Sequence, residues 1–146
     1  MIQEKLNQVG GLRECLLSLR FCGNKIAADV EVGVIEAGLL LQRESQRLVP
    51  IETGALKASA YTRTDGKGFA AKVSVGFSAP YAMAVHESVG MVLKGMPRPS
   101  GIGKYWDPQP PAQAKFLEEP SRRLRPEMLR IIRDRALLNW TPRIQV

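Results

Sequence analysis

His86 and Glu87 are the one adjacent pair of side chains in this sequence that suggests acid–base chemistry. They close the apolar run 81–85, and a lone histidine in that position is more often packed and hydrogen-bonded than catalytic. The sequence lacks the phosphate-loop, serine-hydrolase and zinc-protease motifs. Its carboxylates stand singly among basic residues, unlike the ligand clusters of metal-dependent nucleases. These residues predict no enzyme and no cofactor.

Cys15 and Cys22 are the only cysteines. On one helix they would lie two turns apart, about 10 Å along the axis, which is too far for a disulfide. The single histidine of the chain cannot complete a Cys/His zinc site. We therefore expect no metal site and interpret both thiols as small core residues.

The net charge of +7 comes from the second half of the chain, where residues 112–146 carry eight basic and four acidic side chains. Such an excess favours an anionic partner, either nucleic acid or an acidic protein surface. Glutamates and an aspartate are interleaved with the arginines, so a solvated helix with many ion pairs is an equal alternative. The arginines that we assign to a candidate partner interface are Arg122, Arg123, Arg130 and Arg133.

Residues 88–114 contain four glycines and five prolines and have neither helical nor strand periodicity. A loop of this length is usually functional or disordered, and we predict an extended arm. Tyr105 and Trp106 lie within it and could anchor the arm in a partner's pocket. The alternative is that both aromatic rings cover the domain's own core. Residues 139–146 are predicted to be a C-terminal tail that is ordered only on contact.

The composition, 45% hydrophobic and 24% charged in 146 residues, is that of one ordinary globular domain spanning 1–146. No apolar run is long enough to cross a membrane. The first residues include Gln3 and Glu4 and do not resemble a signal peptide. We expect the chain to be made and used in a cytoplasm-like compartment.

Apolar residues at three- and four-residue steps predict a helical N-terminal segment over 1–22, with a short helix at about 12–21. Gly23 and Asn24 then predict a break. A longer amphipathic helix follows over 25–48, and Gly33 and Gly38 leave a shallow strip on which another backbone could pack closely. The apolar face of this helix comprises Ile26, Val30, Val34, Ala37, Leu41, Ser45 and Leu48.

After residue 54 the apolar period changes to two, which predicts strands over 55–64 and 69–77 joined by a turn at 64–68. We expect Phe69, Ala71, Val73, Val75 and Phe77 to share one face. Residues 81–87 form a short helix or a third strand. Helical spacing returns over 116–138, where Pro126 kinks the helix or begins a second one. The fold class is α+β: a long N-terminal amphipathic helix and a C-terminal helix packed on a small antiparallel sheet, with a long irregular loop.

Pro50, Thr53 and Gly54 form the corner between the long helix and the sheet. Proline ends the helix because it has no N–H to donate and restricts the residue before it. The threonine hydroxyl can bind the local backbone, and glycine can adopt a positive φ for a tight reversal. The simplest interpretation is a structural connector.

Three segments resemble a known family. Residues 48–59, with the sequence LVPIETGALKAS, resemble the VPVDTGxLRxS corner of tailed-phage neck and tail-completion proteins. Residues 73–82, VSVGFSAPYA, followed by VHE at 85–87, resemble the family's VxVG and APYAxxVHE segments. Residues 114–120, AKFLEEP, are similar to its PFLxPA entry to the last helix. The three occur in the family's order, over roughly residues 10–138.

The resemblance implies a non-enzymatic virion protein located at the neck or head–tail interface. Such proteins are similar to subunits of six- or twelve-fold rings around the DNA channel, between the portal or its adaptor and the tail tube or tail terminator. The implied location is the virion, after synthesis in the host cytoplasm. Double-stranded DNA in the channel is a possible further contact of the arginines.

Two positions depart from the family pattern. The glycine expected two residues after Glu87 comes one residue later, at Gly90, and Ala114 and Lys115 stand where a proline is common. The main alternative function is a basic DNA-binding protein that uses the C-terminal arginine-rich helix. That alternative predicts monomers or dimers whose DNA binding falls steeply with salt.

Overall fold

A computed structural model of the chain describes residues 11–51, 54–88 and 112–138. In chain order it contains helix α1 (Leu12–Leu48), helix α2 (Ala55–Ala58), strand β1 (Ala60–Asp65), a 3-10 turn (Gly68–Ala70), strand β2 (Lys72–Phe77), helix α3 (Ala82–Glu87), helix α4 (Glu118–Arg123) and helix α5 (Arg125–Leu138). The two strands form one antiparallel sheet. The fold is therefore α+β, as predicted.

Helix α1 runs without a break for 37 residues, about 55 Å. The predicted interruption at Gly23 and Asn24 is wrong. Neither residue has proline's effect: each costs at most about 1 kcal/mol in a helix interior, and an established helix propagates through them. The predicted start near Leu12 is confirmed, because Gly11 takes the left-handed conformation with φ +84° immediately before it.

The first predicted strand begins too early. Residues 55–58 form the short helix α2, and β1 starts only at Ala60. Ala, Leu and Lys are strong helix formers, and in this turn Leu56 alone is buried. The apparent alternation at the start of the segment was therefore one buried leucine between exposed neighbours.

The predicted hairpin is confirmed, with a longer connection than expected between Asp65 and Lys72. Gly66 and Gly68 both have positive φ, and the Asp65 carboxylate accepts a hydrogen bond from the Gly66 N–H at 3.0 Å. Phe69 lies in the 3-10 turn and is exposed, so its predicted place beside Val73 is wrong. In β2 the alternation holds, with Val73 and Val75 half-buried and Lys72 and Ser74 exposed.

Helix α1 is packed on two sides. On one side Gly33 meets α5, where an added Cβ would lie 2.9 Å from Ile132 Cα. On the other side Gly38 meets the sheet, where an added Cβ would overlap the Val73 side chain. Close packing at both glycines is thus observed, but the single strip that the sequence predicts is wrong: Gly33 meets the backbone of α5, whereas Gly38 meets side chains of the hairpin on another side of the helix. The side chains of the predicted apolar face lie between these two layers: Val30, Val34, Ala37, Leu41 and Ser45 are all half-buried or buried.

Polar contacts fix the hairpin on α1. Thr62 Oγ1 donates to Gln42 Oε1 at 2.6 Å, and the Glu31 carboxylate accepts from the Gly68 N–H at 2.8 Å. The C-terminal helices run antiparallel to α1, because Arg123 bonds Glu44 while Arg135 bonds Glu36. Pro126 lies at the second position of α5, so it begins a second helix, one of the two predicted outcomes.

Candidate functional site

The corner after α1 has the geometry that its residues predict. Helix α1 ends at Leu48, and Val49 is already extended, with φ −65° and ψ 128°, as the residue before a proline prefers. Gly54 has φ +79° and is the N-cap residue immediately before α2. Thr53 lies outside the described residues. Pro50 and Gly54 thus act as a structural turn that places Val49 and Leu56 toward the same interior.

The three segments that carry the family resemblance meet in one hydrophobic core. Val49 and Leu56 come from the first segment, Ala82 from the second and Phe116 from the third, and all four are buried. Phe116 is 1% exposed, and its ring stands edge-on to Phe77 at a centroid distance of 5.0 Å. The half-buried side chains around the cluster are Leu48, Phe77, Ala79, Val85 and Leu117. Residues of these three segments therefore build the core at this corner.

His86 belongs to the wall of this core. Its ring stands edge-on to Phe116, also at 5.0 Å, and its side chain is 17% exposed. The Nδ1 atom lies 2.9 Å from Glu87 Oε1, while Nε2 is buried and has no hydrogen-bond partner in the part of the chain that the structure describes. The ring is therefore packed against the core and hydrogen-bonded through Nδ1.

Lys115 Nζ donates a hydrogen bond to the Glu87 carboxylate and also forms an ion pair with Glu118 at 3.2 Å. The hydrogen bond from Lys115, and then that from His86, lowers the pKa of the Glu87 carboxyl. The same bond raises the pKa of Lys115. The contacts among the side chains of His86, Glu87, Lys115 and Glu118 join the end of α3 to the start of α4. A backbone hydrogen bond of 2.8 Å from the Lys115 N–H to the His86 carbonyl adds to this connection.

Lys115 has φ +55° and is the one non-glycine residue with positive φ among those described. Proline fixes φ near −65°, so it cannot occupy this position in this conformation. Lysine at this position therefore permits a backbone conformation that proline would exclude. The left-handed conformation of Lys115 costs about 1 kcal/mol. The side chain of this residue makes two ion pairs, with Glu87 and Glu118.

Ion pairs within the chain involve three of the four arginines that the sequence assigns to a partner interface. Arg122 pairs with Glu118, Arg123 with both Glu119 and Glu44, and Arg133 with Asp134. Arg130 is exposed and has no ion pair within the described ranges. Arg122 and Arg123 lie on α4, and Arg130 and Arg133 on α5. This distribution fits the alternative of a solvated, ion-paired helix surface.

Sequence reasoning did not identify the pair that joins the two long helices. Arg135 Nε donates to Glu36 Oε2 at 2.8 Å, and a second guanidinium N–H donates to Glu36 Oε1. The bond from Arg135 lowers the pKa of Glu36. Burial raises the pKa of Glu44, but its bonds to Arg47 and Arg123 outweigh burial and leave it lowered. Glu36 and Arg135 are 99 positions apart in the chain, so no local sequence pattern indicates that they form a pair.

The first four turns of α1 carry an apolar stripe that nothing described covers. We name Leu12, Cys15, Leu19 and Cys22 the exposed seam. Leu12 is half-buried, Leu19 is 63% exposed and both cysteines are exposed. The prediction that the thiols are core residues is therefore wrong, because both lie on a part of α1 that the described part of α5 does not reach.

Tyr105 and Trp106 lie outside the described residues, as does most of the predicted 88–114 arm and the whole 139–146 tail. Within the described ranges, no group of three or more His, Cys, Asp or Glu side chains is arranged to hold a metal ion. Over the same ranges, no helix combines the length and the apolar character needed to cross a membrane.

Comparison of the chain with protein-family models, with curated proteins and with solved structures finds no match.

Proposed function

We propose that this chain is a non-enzymatic structural subunit of a tailed-phage neck, placed between the portal or its adaptor and the tail. The resemblance of three ordered segments to neck and tail-completion proteins suggests this assignment. The observation that carries it is the convergence of all three segments on the Phe116 core. Segments that pack together in one core are what a shared fold requires.

A ring-forming subunit needs surfaces for its neighbours as well as a stable core. The exposed seam and the outer face of the hairpin, which carries Tyr61 and Lys72, offer such surfaces. The arginines support protein contacts better than DNA contacts, because Arg122, Arg123 and Arg133 are already paired with carboxylates. Counterion release by these groups on DNA would be correspondingly small.

The test is assembly with the portal protein encoded by the same genome. We expect negative-stain images of the purified mixture to show rings of six- or twelve-fold symmetry on the portal. In parallel, binding to a short DNA duplex is titrated at low and at physiological salt, and weak binding is expected. A protein that ignores portal, stays monomeric and binds the duplex tightly with a steep salt dependence would instead be the basic DNA-binding protein.

A further inference from the structure

The outer face of the hairpin carries several basic side chains. Thr62 and Val73 face α1, since Thr62 bonds Gln42 and the Val73 side chain packs at Gly38. Their neighbours Arg63 and Lys72 therefore lie on the opposite, outer face of the two strands, and both are exposed. Lys67, in the turn at the tip of the hairpin, is exposed as well.

Helix α1 continues this basic surface beyond the tip of the hairpin. Gly68 packs on Ala27, where an added Cβ would lie 3.1 Å from the Ala27 side chain. Arg20 and Arg13 lie about two and about four helical turns before Ala27, and within about 40° of it around the helix. Both arginines are exposed. We name the five cations on this side of the molecule the basic track: Arg13, Arg20, Arg63, Lys67 and Lys72.

The cations of the basic track are not neutralised by carboxylates of the chain. None of the five makes an ion pair within the described ranges. The described carboxylates on this side are those of Asp65 and Glu31, and they accept the backbone N–H groups of Gly66 and Gly68. The C-terminal helices differ, because four of their arginines are paired with carboxylates: Arg122, Arg123, Arg133 and Arg135.

The length of the basic track favours a linear polyanion as its partner. From Arg13 to Gly38, where Val73 packs, α1 rises roughly 35 Å, which is about one turn of B-form DNA. A duplex presents phosphates regularly over that whole distance, so cations spread along it can each reach one.

An acidic protein is the less suitable partner for the hairpin part of the basic track. The centre of a protein interface is depleted of charged side chains and enriched in aromatic ones. On the outer face of the two strands, Tyr61 is the one large apolar side chain, and its ring lies against Gly76. Around it are the charged and small polar side chains of Arg63, Lys72 and Ser74, which suit contacts with phosphate oxygens.

We propose that the basic track binds the phosphates of double-stranded DNA without sequence specificity. The setting rests on the proposed function, in which DNA passes through the channel of a ring of subunits. A single copy then binds a duplex weakly through its few cations. Several copies around one duplex bind it more tightly together, because each contact after the first is made within an assembly that already holds the DNA.

The test compares two variants of the full chain that lose the same charge from different sides. The track variant combines Arg20→Gln, Arg63→Gln and Lys72→Gln. The control variant combines Lys25→Gln, Arg125→Gln and Arg130→Gln, at exposed positions outside the basic track that make no ion pair within the described ranges. Fluorescence anisotropy measures binding to a labelled duplex of about 20 base pairs, roughly twice the length of the track, over a range of salt concentrations.

We expect the track variant to bind the duplex at least about tenfold more weakly than the wild type at low salt. The slope of the logarithm of the binding constant against the logarithm of salt concentration should fall in magnitude by about two to three, since each lost phosphate contact removes about 0.9. The control variant should retain most of the wild-type slope. Equal losses in the two variants, or wild-type binding that does not depend on salt, would overturn the proposal.

Assembly on portal separates this proposal from the proposed function. We expect the track variant to form the same rings on portal as the wild type. Loss of the rings together with unchanged duplex binding would assign the basic track to an acidic protein surface and reject the DNA contact. A wild-type chain that forms no rings, but whose duplex binding depends on the basic track, would reject the neck function and leave the DNA contact standing.

Discussion

From Ile26 to Leu48, helix α1 is covered on two sides. Over residues 12–25, which we call the projecting half, most apolar side chains are exposed: Cys15, Leu16, Leu17, Leu19, Phe21 and Cys22. Both halves carry the same amphipathic pattern, and they differ in what lies opposite. In the covered half, Gly33 and Gly38 admit α5 and the hairpin, and Glu36 binds Arg135. The described part of α5, which extends to Leu138, does not lie along the other half. The comparison teaches that an apolar pattern along a helix does not by itself show which of its side chains are buried, because burial depends on what packs against them.

The largest expected difference separates two phenylalanines. Phe116 is 1% exposed and closes the core at the covered end of α1, whereas Phe21, on the projecting half, is 71% exposed. We expect Phe116→Ala to lower the free energy of unfolding by about 3–5 kcal/mol, through lost burial and a cavity. Phe21→Ala should change it by less than about 0.5 kcal/mol. Urea denaturation followed by circular dichroism measures both, and comparable losses would mean that the projecting half is buried after all.

Alanine substitutions at two glycines of α1 should change the free energy of unfolding in opposite directions. An added methyl at Gly33 would press on the α5 backbone at Ile132, whereas at Gly23 nothing described lies within 4 Å. We expect Gly33→Ala to destabilise by about 1–2 kcal/mol, since overpacking exceeds the gain in helix propensity. Gly23→Ala should stabilise by about 0.5–1 kcal/mol. The shift of each urea midpoint measures both effects, provided that the dependence of the unfolding free energy on urea concentration is unchanged. A shift in the same direction for both would show that the α1–α5 contact is not close.

The smallest expected effect is electrostatic and appears in acid. The folded-state pKa values of Glu36, Glu44 and Glu87 are lowered from 4.5, so the folded chain binds fewer protons than the unfolded chain just below that pH. Their stabilisation is complete above pH 4.5 and is lost as the pH falls through the lowered values.

Glu36→Gln should lower the free energy of unfolding by about 0.5 kcal/mol at pH 7, a small value because the Glu36–Arg135 pair is partly exposed. It should also make the free energy of unfolding fall less steeply as the pH is lowered. Glu14→Gln, on the projecting half, is the matched control, because Glu14 has no ion pair among the described residues. Unfolding curves from pH 7 to pH 3 provide the measurement. If the two variants have the same acid profile, the Glu36–Arg135 pair does not contribute in solution.

Local chemistry made much of the fold predictable. Pro50 ended α1, Gly54 supplied the left-handed turn, and the alternation of Val73 and Val75 indicated β2. The errors occurred where local signals are weak. Residues 23–24 and 55–58 were misassigned because single glycine, asparagine and alanine residues shift helix stability by less than the surrounding chain does.

The candidate site was less predictable than the fold. The sequence indicated an arginine-rich C-terminal surface, but it could not show that Arg123 reaches Glu44 or that Arg135 reaches Glu36. It also placed Cys15 and Cys22 in the core, because a helical stripe contains no information about which of its residues another element covers. These outcomes depend on contacts between residues far apart in the chain.

The sequence by itself determined a long amphipathic helix, the corner that ends it, a hairpin and a basic C-terminal helix, since each follows from dihedral preferences and from the spacing of apolar residues. Only the tertiary structure decided which part of the helix is covered, which carboxylates the arginines bind, and that Val49, Leu56, Ala82 and Phe116 share one core. The physical reason is that burial and ion pairing depend on distances between segments, which local patterns do not encode.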